Sequence, residues 1–62
     1  MDLSIYGYLN RMSTEKLLDA LFLYSQPTML KDYGYAVKMM IEILTKRGVE
    51  IPREILDRIG KT

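Results

Sequence analysis

From residue 13 onward the apolar positions recur at i, i+3/i+4 and i+7, the period of a helix with one side turned to a core. Pro27, Gly48, Pro52 and Gly60 cut this pattern into three segments, each placed as a helix start or stop. The first runs from about Ser13 to Gln26. Ser13 or Thr14 serves as N-cap, and Glu15 lies in the first turn, where the helix dipole favours an anion. Leu17, Leu18, Leu21, Tyr24 and Ser25 make its inner face, Lys16 and Asp19 lie opposite, and Phe22 and Leu23 widen the apolar sector. Pro27 disfavours helical geometry at Gln26 and ends the segment there.

The second segment runs from about Met29 to Arg47, capped by Thr28 or, starting later, by Asp32. Leu30, Tyr33, Val37, Met40, Ile41 and Leu44 form one face, and Tyr35, Ala36, Met39 and Ile43 form a second apolar set beside it. Lys38, Glu42, Thr45 and Lys46 are the polar strip, with Lys38, Glu42 and Lys46 at successive i,i+4 spacing. Lys46 and Arg47 suit the negative end of the dipole. Gly48 fits a left-handed C′ position, and Val49 fits the apolar contact of a Schellman motif. The third segment, Pro52 to Ile59, has Pro at its first position, Glu54 in its first turn and Gly60 after its last. Ile51, Ile55, Leu56 and Ile59 form its apolar side. It is too short to be stable alone and must pack on the other two.

The first dozen residues fit two periods. Leu3, Ile5 and Leu9 alternate with Ser4, Tyr6, Tyr8 and Asn10 as in a strand, yet Ile5, Tyr8, Leu9 and Met12 also make a helix face. A lone strand cannot satisfy its backbone groups, and nothing after residue 13 reads as its partner. A short helix or turn is favoured, with strand pairing across a dimer as the alternative. Tyr6-Gly7-Tyr8-Leu9-Asn10-Arg11-Met12 also echoes Tyr33-Gly34-Tyr35-Ala36-Val37-Lys38-Met39. So short a match arises by chance more readily than by duplication; a true duplication would set both glycines early in helices. Gly34 has two readings: a first helical turn, or a close approach of two helices that leaves no room for a side chain.

Length sets the energetic frame. A chain of 62 residues and 7.2 kDa makes one domain. Folding it removes about 6,000 Å² from water, a gain on the order of 90 kcal/mol if somewhat over half is apolar. Ordering the chain at about 1.5 kcal/mol per residue costs about the same. With no Cys and no His, neither a disulfide nor a structural zinc site offsets this, which leaves association with another chain. An apolar fraction of 48% with net charge +1 argues against a disordered chain. No apolar run approaches the roughly 18 residues of a membrane span. Met1-Asp2-Leu3-Ser4 lacks the basic region and apolar run of a signal peptide, so a cytoplasmic location is expected.

Candidate chemistry is sparse. General acid–base work at neutral pH falls most often to His, which is absent, as is a Cys nucleophile. Ser4, Ser13 and Ser25 have no His to activate them. The acidic residues show no convergent spacing, and Glu54 and Asp57 beside Arg53 and Arg58 read as a charge-balanced face. No Gly-rich phosphate loop or calcium loop occurs. A non-enzymatic protein without cofactor or metal is expected.

Tyr and Met are instead abundant, five of each, and both are enriched at protein interfaces. Met repacks easily against irregular partners. The expected fold is all-α: a helical hairpin of the first two segments with the C-terminal helix over its open end, and a short N-terminal helix in addition. The second face of the long segment is expected to meet a second copy or a target groove, through Tyr33, Tyr35, Met39 and Ile43, with Tyr6 and Tyr8 at the rim. By architecture the chain resembles the short helical proteins that bacteria and their phages use to inhibit or adapt larger enzymes, although fold does not imply function. The expected role is a homodimer or a partner-bound inhibitor or adaptor. The alternatives are a purely structural oligomerising unit and a small helix-turn-helix DNA-binding protein reading through Arg53, Arg58 and Lys61. Balanced charge, and Glu54 and Asp57 between those cations, disfavour nucleic acid.

Overall fold

Ile5, Leu9 and Met12 recur at helical spacing, and this period prevails over the strand-like alternation at the start of the chain. The computed structural model describes residues 5–60 and places four helices: α1 (Ile5–Asn10), α2 (Thr14–Tyr24), α3 (Pro27–Lys46) and α4 (Arg53–Gly60). No strand occurs among the described residues, so the fold is all-α. Leu3 and Lys61 lie outside them. A six-residue helix satisfies some of its own backbone, as a lone strand cannot, but it is too short to persist unaided. Burial of Leu9 and packing against α3 hold α1 in place.

Each junction has a local cause. Ser13 caps α2, its Oγ accepting from the Lys16 backbone N–H at 3.2 Å. Gln26, preceding proline, is extended at ψ 146°, the conformation that a following Pro ring imposes. That same residue is the N-cap of α3, with Pro27 in its first turn. The long helix therefore starts two residues before Met29, and Thr28 and Asp32 lie inside it, not at its cap. Pro suits this place because the first helical N–H groups have no partner within the helix. The helix is broken within: Tyr33 has φ −116° and ψ 21°, outside helical values. Gly34 follows at once. A Cβ on Gly34 would meet nothing within 4 Å, so the close-approach reading of this glycine is not met.

The end of α3 is as the sequence predicts. Gly48 has φ 82°. Its N–H donates to the Thr45 carbonyl at 3.0 Å, and the Val49 N–H donates to the Leu44 carbonyl at 2.9 Å. This is the Schellman pair of hydrogen bonds, and Val49 packs against the core. At the last helix, Pro52 stands one residue outside: its carbonyl accepts from the Ile55 and Leu56 N–H groups. Gly60 is the last residue of α4, not the one after it.

The core is built on α3, which packs against both α2 and α1. Leu17 and Leu21 of α2, Val37, Met40 and Leu44 of α3 and Ile55 of α4 are buried. So are Ala36 and Ile43, from the second apolar set of α3. That set is divided: Ala36 and Ile43 are buried, Met39 is half-buried and Tyr35 is exposed. The polar strip also pairs differently: Glu42 meets Lys46 at 3.4 Å, and Lys38 has no ion pair among the described residues.

Candidate functional site

Four of the five tyrosines converge on one groove. Tyr8 comes from α1, Tyr24 from α2, and Tyr33 and Tyr35 from α3. Ile5 and Met12 complete its walls, and the buried Leu9, Ala36 and Met40 underlie it. The kink at Tyr33 belongs to this site, for both tyrosines of the Tyr-Gly-Tyr stretch beside it enter the groove. The Tyr24 and Tyr33 rings lie 5.1 Å apart at 54°, a tilted aromatic pair. Tyr8 is 70% exposed and Tyr35 51%, with Ile5 and Tyr33 also exposed. The single chain thus leaves much of this aromatic surface in water, whereas apolar patches of soluble monomers are usually small unless functional.

The predicted site residues divide. Tyr8, Tyr33 and Tyr35 come together in the groove. Tyr6 does not; the Lys46 ammonium lies over its ring, 6.0 Å from the ring centroid, in a cation–π contact. Met39 is half-buried against the core. Ile43, at 2% exposure, is a core residue and presents no surface. Sequence reasoning passed over Ile5, Met12 and Tyr24 as groove residues. Their membership depends on the angle at which α1 and α2 meet α3, which no periodicity encodes.

Charge is unevenly spread around the groove. Tyr8 and Met12 also border a concavity that holds Arg11 and Lys16. Tyr35 also borders one that holds Lys31, Lys38 and Asp32. None of these four cations has an ion pair among the described residues. The Lys46 amine is elsewhere: hydrogen bonding to the Tyr6 side chain, then to Glu42, holds its pKa above the usual lysine value.

The remaining arginines serve the fold. Arg47 donates through Nη2 to the Asn10 and Met12 carbonyls at 2.9 and 2.8 Å, and through Nη1 to Thr14 Oγ1 at 3.0 Å. It thereby ties the α1–α2 turn to the end of α3. Arg58 donates to the Phe22 carbonyl and to Ser25 Oγ, pairs with Glu54 at 3.3 Å, and lies over the Phe22 ring. Arg53 pairs with Asp57 at 3.8 Å. A DNA-reading helix needs such side chains turned outward; Arg58 is turned onto α2.

Among the described residues no group of three or more acidic, His or Cys side chains could hold a metal ion, and no helix is long and apolar enough to cross a membrane. The chain matches no protein-family model, no curated protein and no solved structure.

Proposed function

We propose that this protein is a small, non-enzymatic binding module that acts as an inhibitor or adaptor of a larger protein, and that the tyrosine-lined groove is its binding face. The observation that carries this reading is the groove itself: exposed Tyr8, Tyr33 and Tyr35 from two helices share one concavity over an apolar floor. Tyr brings a large rigid surface with one polar tip and little conformational entropy to lose, and it is frequent among residues that dominate binding energy. Met12 adds an adaptable wall. A second copy of the chain is the weaker occupant, because two grooves each bordered by unpaired cations repel one another when brought face to face.

The test is a peptide-display selection on the immobilised protein. Ligands are expected whose binding is lost in the double variant Tyr8→Ser, Tyr35→Ser. They should still bind Leu23→Ser, Leu56→Ser, which alters exposed residues of α2 and α4 outside the groove. Ligands indifferent to the tyrosine variant, or no ligands at all, contradict the reading.

A further inference from the structure

The groove has an electrostatic frame that narrows what it can take, and this inference rests on the binding reading above. Its centre, between Tyr8, Tyr33 and Tyr35, is lined by no charged side chain. Beyond Tyr8 and Met12 stand Arg11 and Lys16, and beyond Tyr35 stand Lys31 and Lys38. Asp32 is the one carboxylate lining any of the three concavities. The balance of four cations to one anion contrasts with a net charge of +1 for the whole chain. Most of the acidic residues therefore lie elsewhere, and several are neutralised there: Glu42 by Lys46, Glu54 by Arg58, Asp57 by Arg53. The groove cations have no such partners among the described residues. They are left for a ligand.

We infer that the groove receives an amphipathic helix of a partner protein, with an apolar stripe seated among the tyrosines and Asp or Glu residues on either side of that stripe. A helix laid in an apolar groove presents anchors at i, i+3/i+4 and i+7, and its flanking positions fall where the cations stand. A helix of about 16 residues spans about 24 Å, within the 32 Å long dimension of the molecule. Single-stranded nucleic acid also stacks on tyrosines, but it requires cations tracking a phosphate at every nucleotide. Here the cations stand in the neighbouring concavities, outside the groove, and Ile5, Leu9 and Met40 line the groove itself.

Fluorescence anisotropy with three labelled probes tests this. Two are amphipathic peptides of about 16 residues, about 24 Å as helices, with the same leucine stripe, one flanked by Glu and one by Lys. The third is an oligothymidylate. The Glu peptide is expected to bind about tenfold more tightly than the Lys peptide at low salt, with the gap closing as salt screens the exposed charges. The double variant Lys16→Glu, Lys38→Glu should reverse that order with an unchanged circular dichroism spectrum, since both residues are exposed and neither forms an ion pair among the described residues. Equal binding, preference for the Lys peptide, or binding of neither peptide overturns the inference while the display selection still decides the groove reading. Binding of oligothymidylate in preference to both peptides overturns both.

Discussion

The Arg47 guanidinium reaches the Met12 carbonyl at 2.8 Å across 35 residues of sequence. Together with its bonds to Asn10 and Thr14, this contact closes the turn between α1 and α2 against the end of α3. The carbonyls at a helix C-terminus lack partners within the helix, and Asn10 ends α1. Arg58 plays the same part for α2 at Phe22. Two arginines thus satisfy the ends of the two shorter neighbours of α3, and the first of them holds the helix that supplies Tyr8.

Arg47→Ala removes a charged donor from three oxygens in an exposed setting, so a loss of about 1–2 kcal/mol is expected. A urea melt of variant and parent measures it. Arg47→Lys should recover less than half, because an ammonium cannot hold the planar fork. Tyr8 should become more mobile in both, read as a faster backbone amide exchange in α1 than in α2.

Charge placed at Met39 and at Ile43 of the second α3 face separates core from surface. Ile43→Lys places an unpaired ammonium among buried side chains and should abolish the folded state, seen as loss of cooperative melting by circular dichroism. Met39→Lys, at a half-buried site where a long stem can carry its ammonium to water, should retain a cooperative melt. Equal effects would mean that the two share one environment.

Gly34 and Gly48 should respond to alanine with opposite signs. Gly34 has no positive φ and open space beyond it, so Gly34→Ala should gain about 0.5–1 kcal/mol through helix propensity. Gly48→Ala forces a side chain into left-handed backbone at φ 82° and should cost about 1–2 kcal/mol. Denaturant midpoints of the two variants check this directly.

Lys46 gives a pH dependence of defined sign. Its amine titrates above the ordinary 10.5 in the folded chain, so the folded state binds this proton more tightly than the unfolded one. The associated stability is fully present below about pH 10.5 and is lost as pH rises through the folded value. Following the Lys46 side chain by NMR should give a midpoint above 10.5, and Tyr6→Phe should lower it. An unchanged midpoint in the variant would remove Tyr6 as the principal cause.

Much of the fold was legible because it depends on local chemistry. The Ser13 cap, the Gly48 terminus and the extended Gln26 each follow from one residue type and its neighbour. Helix starts shifted by one or two residues where Pro was involved, since its ring fits both the cap and the first turn. The site was legible in part. Tyr8, Tyr33 and Tyr35 stand out by residue type alone, but the burial of Ile43 depends on how the other helices dock on α3, a tertiary event with no periodic trace. Tyr24, assigned to the core side by its spacing from Leu17 and Leu21, also lines the groove because the groove opens where α2 meets the kinked start of α3.

The most direct test of the central claim, that a partner helix sits among these tyrosines, is an amide chemical-shift footprint of a display-selected peptide on the isotope-labelled protein. The largest shifts are expected at Tyr8, Met12, Tyr33 and Tyr35, with Leu23 and Leu56 unmoved. A footprint centred on α4 and the end of α2, with the tyrosines silent, would contradict it.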